Sequence, residues 1–445
     1  MGADRVHSGY RLVHETCRHG RLFVRTAWLQ NRTVELQGDT AMMNVLLLTQ
    51  VVPYPPESGP RIKTLNVLRY LAQRHNVHLV SFVRSEREAA DAQTLADYCS
   101  GITTVPIKRS RVRDISYLGR SLLSGRPFLV ERDDSRAMRK TLMELLSRHH
   151  FDAVHADQLS MAQFALDLRL PLRVLDQHNA VWTIVQRSAQ RAPWFMRIPA
   201  EIEWRKLRGY EGRLCREFDH TIMVSDDDRR ALEQAAGQPV TASVIPIAVD
   251  TSALAFAPRS ADARHVLSVA TMFYPPNAEG VLWFGRHVFP RVRSALPGTR
   301  FRVIGSRPTL AVSELGRRDL GIDVMGYVSN LEPVLQQSGV LVVPVHSGSG
   351  MRVKILEGFA RGVPIVSTSI GIEGIDARHN VHLLVADDPL DFAAAVVRLL
   401  CEPETARRLA RAGRQLVETH YDWRTALGSL DQVYSDMREP VGAGR

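Results

Sequence analysis

Short apolar runs alternate along the first half of the chain with segments long enough to form helices. A helix is predicted over 62–74, between the first two of these runs. The apolar runs predict strands at 44–49, 77–83, 102–107, 152–155, 172–176 and 221–225. Strands separated by helix-length segments form right-handed crossover units, so this alternation predicts a parallel sheet.

The same alternation restarts after a polar segment at 251–263 that contains Ala and Pro, and a domain boundary is predicted there. A helical segment over 404–437, interrupted near His420, ends the pattern. The strands predicted in this second half are 265–271, 300–304, 340–343, 364–367 and 381–385. The fold class is therefore predicted to be α/β, with two doubly wound Rossmann-like domains that face each other across a cleft. Ligands of such sheets bind beyond the carboxyl ends of the strands.

The predicted domain ranges follow from this pattern. Residues 1–42 have mixed charge and weak periodicity, which indicates an extension that is disordered or arises from an upstream start site. The first domain is predicted over 43–255, the second over 256–420, and a C-terminal helix over 421–445.

Composition excludes several classes of protein. Of the 445 residues, 45% are hydrophobic, which excludes a disulfide scaffold and a mostly disordered chain. Apolar runs end well before the ~18 residues that a spanning helix needs, and the arginines among residues 1–30 argue against a signal peptide. A cytoplasmic location is predicted. The cysteines are too far apart for a zinc ribbon or a redox pair, and they are expected to be reduced: Cys17, Cys99, Cys215 and Cys401.

The net charge of +10 is concentrated in two stretches. Residues 108–148 contain eleven Lys or Arg and five Asp or Glu, and residues 187–216 contain eight and three. This indicates attraction to an anionic membrane surface or a phosphate-bearing acceptor. Within the second stretch, Pro193–Ile198 places large apolar residues among arginines, as interfacial segments do. The alternative is solvated helix faces, with Trp194 and Phe195 packed into a domain cleft.

Two classes of binding protein are disfavoured. The charge is accompanied by no recognised nucleic-acid-binding motif, so nucleic acid is not an expected partner. The loop after the first strand, at 49–59, is rich in proline and lacks the G-x-G-x-x-G turn of dinucleotide-binding domains. Because proline removes the N–H groups that a pyrophosphate would use, a nicotinamide dehydrogenase is also disfavoured.

The segment 344–359 is the most informative for chemistry. A predicted strand ends near Val343, small residues form a turn, and a helix begins near Arg352. Glycines let backbone N–H groups converge, and the first turn of the helix adds its own N–H groups, so the turn can hold phosphate oxygens. Arg352 and Lys354 both reach one diphosphate only if Arg352 still lies in the turn, since residues i and i+2 of a helix do not share a face. The alternative is a surface ion-pair series in which Glu357 joins Lys354 to Arg361.

Residues 350–368 (Gly350-Met351-Arg352-Val353-Lys354 onward) resemble the donor-binding signature of glycosyltransferase family 4, whose members are retaining enzymes of the GT-B fold. Further segments resemble a bacterial exopolysaccharide-associated branch of that family in order and spacing. They are Asp176-Gln177-His178-Asn179, Val224-Ser225-Asp226-Asp227-Asp228 and Tyr274-Pro275-Pro276-Asn277. The loop 53–59 resembles the family's glycine-containing loop after the first strand. The resemblance covers 43–421.

The resemblance implies roles for particular residues in binding a nucleotide-sugar. Arg352 and Lys354 would neutralise the diphosphate leaving group, and Gly350 and Met351 would offer backbone N–H groups. Glu357 would accept hydrogen bonds from the ribose hydroxyls. Base recognition is expected from main-chain groups near Gly305 and Tyr327.

In the first domain the resemblance implies that Gly59 lies in the glycine-containing loop and that His178 faces the transferred sugar. The alternative for His178 is a cap on the following helix, and Ser225 and Asp228 are interpreted as structural, with Ser225 as an N-cap. Two positions depart from the family. Ser349 replaces a glutamate that would contact the sugar, and Asn277 stands near where an Arg and a Lys are usual.

The resemblance implies a retaining transferase that moves a sugar from a nucleoside-diphosphate-sugar to a polysaccharide or lipid-linked glycan acceptor. It implies no metal and no further cofactor. It also implies that the last helix crosses back to the first domain. Separately, the basic stretch 187–216 predicts that the protein is peripheral at the inner face of the membrane. Two alternatives stay open: a noncatalytic scaffold subunit of a polysaccharide assembly complex, and a nucleotide-sugar epimerase of the same fold.

Overall fold

Two parallel β-sheets, one in each half of the chain, form the framework of the computed structural model. The model describes residues 42–191, 193–256, 259–260, 262–319, 321–348 and 350–435. The prediction for the N-terminal extension therefore lies outside the described residues, apart from Met42.

The first sheet has seven strands in the order β3-β2-β1-β4-β5-β6-β7, and all neighbours are parallel. Its strands are β1 (Asn44–Thr49), β2 (Asn76–Val83), β3 (Gly101–Pro106), β4 (Ala153–Asp157), β5 (Leu172–Gln177), β6 (His220–Met223) and β7 (Ala242–Val244). The second sheet has six, in the order β10-β9-β8-β11-β12-β13, again all parallel. These are β8 (His265–Val269), β9 (Phe301–Ile304), β10 (Ile322–Gly326), β11 (Ser338–Val343), β12 (Ile365–Ser367) and β13 (Leu384–Val385).

Helices connect successive strands and cover the faces of both sheets. In the first half they are α1 (Gly59–Ala72), α2 (Glu86–Gln93), α3 (Arg111–Ser124), α4 (Phe128–Asp133), α5 (Arg136–Arg148), α6 (Leu159–Leu166), α7 (Val181–Arg191), α8 (Trp194–Glu217) and α9 (Asp226–Ala236). In the second half they are α10 (Pro275–Trp283), α11 (Phe289–Ala295), α12 (Leu310–Arg318), α13 (Glu332–Gln336), α14 (Val353–Ala360), α15 (Pro389–Cys401), α16 (Pro403–Leu416), α17 (Trp423–Ala426) and α18 (Leu430–Ser435).

Burial on both faces explains why the central strands read as uninterrupted apolar runs. Val45 to Leu48 in β1 are fully buried, with odd and even positions belonging to different clusters on opposite faces of the sheet. A strand covered by helices on both sides has no solvent-facing positions, so period-two alternation disappears. The α/β class with two doubly wound sheets is confirmed.

The errors in the strand prediction lie mainly at the sheet edges. The edge strands β7 and β10 were not predicted, because β7 has three half-buried residues and β10 has only Ile322 fully buried. The predicted strand 381–385 is wrong over its first three residues, since β13 is only Leu384–Val385. An edge strand pairs on one side only and buries less apolar surface, so it leaves a weaker pattern in the sequence.

The last described helices pack on the first sheet, although the second sheet precedes them in the chain. Trp423 is buried and meets the ring of Tyr70 edge-on, with ring centroids 6.5 Å apart. Leu427, Leu430 and Tyr434 continue the same apolar cluster. The segment after α16 therefore contributes core side chains to the first half of the molecule.

Candidate active site

The turn from β11 to α14 has the shape that the sequence predicted for an anion site. The strand ends at Val343 and the helix begins at Val353. Gly348 and Gly350 have φ angles of 91° and 80°, in the left-handed region that residues with a Cβ rarely adopt. Ser349, between them, lies outside the described residues.

Arg352 lies in this turn, which is the condition for sharing a ligand with Lys354. It is the N-cap residue of α14, with φ −91° and ψ 89°, and its side chain is buried. The guanidinium donates hydrogen bonds to the backbone oxygens of Gly350 and Ser347, the second at 3.5 Å. Burial lowers the pKa of Arg352, with neighbouring Arg187 acting in the same direction.

Lys354 is held by an amide from a different loop. Its Nζ donates to Asn277 Oδ1 at 2.7 Å, and Asn277 Nδ2 donates to the Thr271 backbone oxygen at 2.9 Å. Burial, followed by the charge of Arg352, lowers the pKa of Lys354 to about 7, while Glu357 acts in the opposite direction. The two cations are therefore close enough to repel each other, and an anion between them would relieve that repulsion.

Glu357 lies one turn after Lys354 on α14, at a half-buried position. Burial raises the pKa of its carboxyl, and Arg361 and Lys354 partly oppose that shift. Because the Lys354 ammonium donates to Asn277 and is itself half-buried, the alternative of a surface ion-pair series does not describe this helix.

The two halves of the molecule meet at this turn. A Cβ added at Gly350 would lie 1.9 Å from Asn179 Oδ1, in the loop after β5. A Cβ added at Gly59, the first residue of α1, would lie 3.1 Å from Val353 Cγ2. Arg187 of α7 also donates to the Gly348 backbone oxygen at 3.3 Å. The starts of α1 and α14 thus face each other, and the basic turn borders the first sheet's carboxyl edge.

His178 follows β5 at that edge, and its ring is hydrogen-bonded to a buried carboxylate. Its Nε2 lies 2.9 Å from Asp157 Oδ1, which also accepts from Thr64 Oγ1 at 3.0 Å. Because the carboxylate can only accept, Nε2 is the donor in this hydrogen bond. Nδ1 is buried without a hydrogen-bond partner among the described residues.

A buried carboxylate, and not His178, caps the helix that follows. Glu211 accepts from the backbone N–H groups of Val181 and Trp182, at 2.9 and 2.7 Å. The alternative interpretation of His178 as a helix cap is therefore wrong. Burial, with Asp228 nearby, raises the pKa of Glu211 to about 8 despite both hydrogen bonds. Sequence reasoning missed Glu211, because its position within α8 carries no signal that it reaches α7.

A second buried polar group lies beneath His178 and was also missed. Lys63 of α1 forms an ion pair with Asp176, and His155 Nε2 lies 3.5 Å from the other oxygen of that carboxylate. Burial alone would raise the pKa of Asp176, but Lys63 and the two neighbouring histidines lower it well below its usual value. Ligand atoms of Asp157, Asp176 and His178 lie within 4.8 Å of one another. The Lys63 ammonium already supplies positive charge to this group, which suits an ion-pair network better than a metal.

Met351 and Ser225 have structural contacts. The Met351 side chain is buried, and its sulfur accepts from the backbone N–H of Ile247 at 3.3 Å, which anchors the turn to the segment joining the two sheets. Ser225 is confirmed as the N-cap of α9, since its Oγ accepts from the Asp228 backbone N–H at 3.1 Å.

Comparison with known families and proteins finds glycosyltransferases. The family model described as Glycosyltransferase Family 4 matches residues 63–253, and the model described as Glycosyl transferases group 1 matches residues 263–402. An uncharacterized 44.6 kDa protein in the cps region of Klebsiella pneumoniae is 21% identical over 403 residues, covering 87% of this chain and 99% of that protein. Glycogen synthase of Mycobacterium tuberculosis is 28% identical over 243 residues, or 52% of this chain and 57% of the relative.

Solved structures show the same architecture. HepE from Anabaena, in complex with UDP and glucose, superposes with a TM-score of 0.63 at 13% identity, covering 88% of this chain and 100% of that one. Sucrose-phosphate synthase from Thermosynechococcus elongatus gives 0.62 at 15% identity, with 88% and 99% covered. The two family models match consecutive halves of the chain, and the two sheets match GT-B structures over nearly their whole length. The chain is therefore a glycosyltransferase with the GT-B fold.

Proposed function

We propose that this glycosyltransferase is a retaining enzyme that moves a sugar from a nucleoside-diphosphate-sugar to a polysaccharide or lipid-linked glycan acceptor. One observation carries the proposal: two cations, Arg352 and Lys354, lie at the start of α14, where Val353 approaches Gly59 of the other domain and the preceding Gly350 approaches Asn179. A donor diphosphate bound there would have its sugar directed toward the first sheet, where His178 lies.

Charge development on the leaving group is the step that this site would favour. When the bond between the sugar and the diphosphate breaks, its electron pair stays on the diphosphate oxygen, and negative charge grows beside the two cations. Donors already held in place stabilise that charge without reorganising, and loss of one such donor costs roughly 2.7–4 kcal/mol in analogous oxyanion sites. Arg352 is fixed by its bonds to the turn and Lys354 by Asn277. The two side chains provide the positive charge, so the proposal requires no metal ion.

The remainder of the turn would hold the nucleotide. The backbone N–H groups of Gly350 and Met351 lie in the turn that leads into α14, where N–H groups attract phosphate oxygens. Glu357, one turn further, would accept hydrogen bonds from the ribose hydroxyls. Burial raises the pKa of this carboxyl, and hydroxyl donors would offset part of its desolvation.

His178 would border the transferred sugar on the acceptor side. Its ring is fixed by Asp157, so its orientation does not depend on substrate. With Ser349 in place of the usual glutamate, the sugar would meet no carboxylate at that position. Nδ1 of His178, which has no hydrogen-bond partner among the described residues, would then be placed to contact a sugar hydroxyl.

The relatives support the nature of the substrates. HepE was crystallised with UDP and glucose and also with UDP-glucose, which supports a nucleotide-sugar donor here. The Klebsiella relative is described as a protein of the cps region, which supports a role in exopolysaccharide synthesis.

Turnover of a donor panel tests the proposal. Purified protein is incubated with UDP-, GDP-, dTDP- and ADP-sugars, with and without glycan acceptors, in the presence of a chelator. We expect slow hydrolysis of one donor class, faster transfer with acceptor, and a product with the anomeric configuration of the donor. Arg352→Ala and Lys354→Ala should lose this activity, whereas Arg318→Ala, an exposed cation of the same domain, should keep it.

Other outcomes would identify the alternatives. Nucleotide binding without any turnover would indicate the scaffold subunit. Interconversion of free sugar nucleotides without acceptor would indicate the epimerase. Activity that survives both site substitutions would overturn the mechanism, and a product of inverted configuration would overturn retention.

A further inference from the structure

Helix α3 exposes an apolar side to solvent. Val112, Ile115, Leu118 and Leu122 recur every three or four residues, and they are between 49% and 78% exposed. Leu123, beside them, is 92% exposed. Apolar residues at this spacing form a stripe along one side of a helix, and in a globular protein that stripe normally faces the core. A solvent-facing stripe indicates a surface that is covered by something else.

The beginning of α8 also exposes large aromatic residues. Trp194 is 85% exposed and Phe195 60%, so the alternative that they pack into a domain cleft is wrong. Further along α8, Lys206 Nζ donates to the Ser121 backbone oxygen of α3 at 2.7 Å. The two helices that carry exposed apolar residues are thus in direct contact.

A basic pocket lies at the start of α3. Its volume is about 600 Å³, and it opens beyond the carboxyl ends of β2 and β3. The residues that line it are Arg84, Ile107, Lys108, Arg109, Ser110 and Arg113. Four of these six are cations, and no Asp or Glu is among the described residues of the lining.

The cations of the pocket are only partly neutralised by their surroundings. Arg109 forms an ion pair with Asp133, and Arg84 lies 3.9 Å from Glu88, which Arg61 shares. Burial lowers the pKa of Arg84, and the charge of Arg109 adds to that effect. A bound anion would remove this repulsion, and phosphate is an anion that arginine and lysine bind well.

We propose that α3, the first turns of α8 and the basic pocket form a docking surface for an anionic membrane, with the pocket receiving a lipid phosphate. Apolar and aromatic side chains would enter the boundary between headgroups and acyl chains, while the arginines and lysines meet the anionic headgroups, as interfacial helices do. No described helix is long and apolar enough to cross a bilayer, so this contact would be peripheral. Nucleic acid would match the cations but would leave the apolar stripe in water.

This surface is separate from the donor site but shares an edge with it. Sheet order places β3 four strands from β5, about 19 Å along the sheet at ~4.8 Å per strand. The pocket and His178 both lie at the carboxyl edge of the first sheet. Docking would therefore bring the acceptor side of the cleft near the headgroups, and it does not depend on the proposed transfer reaction.

Vesicle flotation of the full chain tests the proposal. The probes are vesicles of phosphatidylcholine alone and of phosphatidylcholine with phosphatidylglycerol. Three paired variants are compared with wild type: Ile115→Ser with Leu123→Ser, Trp194→Ser with Phe195→Ser, and Lys108→Gln with Arg113→Gln. The matched control is Leu310→Ser with Arg318→Gln, which changes exposed residues of α12 in the second domain. Thermal melting checks that every variant is folded.

We expect wild type and the control to float with the anionic vesicles and not with phosphatidylcholine alone. Each paired variant should bind about tenfold more weakly or worse. Equal flotation with neutral vesicles, or unchanged binding by the three folded variants, would overturn the proposal. If inorganic diphosphate binds the pocket but the protein binds no vesicles, the ligand of the pocket is a free phosphate, and the proposal is overturned. A dimer in solution that the apolar variants dissociate, again without vesicle binding, would indicate self-association.

Discussion

Asn277 positions Lys354: the amide oxygen accepts from Nζ at 2.7 Å, while the amide nitrogen donates to the Thr271 backbone oxygen at 2.9 Å. This bond joins the loop after β8 to the first turn of α14. The resemblance to family 4 implies an Arg and a Lys in that loop; Asn277, which stands near there, is a neutral residue that orients a cation from the neighbouring element. Positive charge at the site therefore depends on α14 and on the turn before it.

Nucleoside diphosphate affinity should fall as pH rises above about 7. Burial and Arg352 lower the pKa of Lys354 to about 7 in the free protein, and a bound diphosphate would raise it. Binding then takes up a proton, so affinity decreases by up to about tenfold per pH unit until the pKa of the complex is reached. Calorimetric titration with UDP, from pH 7 to 10, measures this slope. Lys354→Arg, which stays charged, should flatten it, and Asn277→Asp should move the fall to higher pH.

A methyl group at Gly350 should impair the meeting of the two domains. Its φ of 80° disfavours alanine by about 1–2 kcal/mol, and the Cβ would lie 1.9 Å from Asn179 Oδ1. Gly298 is the matched control, because its φ is 89° and nothing lies within 4 Å of its Cβ position. Both Gly→Ala variants should lower Tm, but only Gly350→Ala should weaken diphosphate binding. Equal diphosphate binding by the two variants would show that the contact between Gly350 and Asn179 does not affect the donor site.

The Glu211 carboxyl should make stability depend on pH. Its folded pKa of about 8 lies above the ordinary 4.5, so its stabilising contribution is complete below about pH 4.5 and is lost as pH rises through 8. Glu211→Gln keeps one acceptor for the start of α7 and removes the titration. The Tm of wild type should therefore fall between pH 5 and 8 more than that of the variant. Asp228, whose pKa burial also raises, leaves some pH dependence in both proteins. Parallel Tm curves would show that Glu211 does not titrate in this range.

Trp423→Ala should destabilise the first domain, although the residue follows the second domain in the chain. The side chain is buried against Tyr70, and removal of a buried Trp or Phe costs about 3–5 kcal/mol. Trp194→Ala, at an exposed position, should change the free energy of unfolding by no more than about 0.5 kcal/mol. Urea unfolding of the two variants measures the contrast.

The parts of the fold that sequence could predict are those buried on both faces. β1 was predicted with its observed bounds because its apolar residues are buried on both faces of the sheet. β7 and β10 bury too little apolar surface to leave a recognisable hydrophobic pattern in the sequence. The turn at 344–352 could also be predicted, since glycines and other small residues separate an apolar strand from the following helix.

Long-range partnerships within the site left no such trace. Asp157 beneath His178, Lys63 beside Asp176 and Glu211 at the start of α7 are joined across 21, 113 and 30 residues. Each residue type is common on surfaces, and only the folded sheet brings the partners together. The solvent-facing side of α3 was missed for a related reason, since an amphipathic pattern does not say whether its apolar side is covered.

Calorimetric titration most directly tests the claim that Arg352 and Lys354 hold a donor diphosphate. UDP, GDP, dTDP and ADP are titrated into wild type, Arg352→Ala, Lys354→Ala and Arg318→Ala. We expect wild type and Arg318→Ala to bind one of these nucleotides equally. Each site variant should bind it at least about tenfold more weakly, as expected for the loss of a charged hydrogen bond. Wild-type affinity in both site variants, or no binding of any nucleotide by wild type, would contradict this claim.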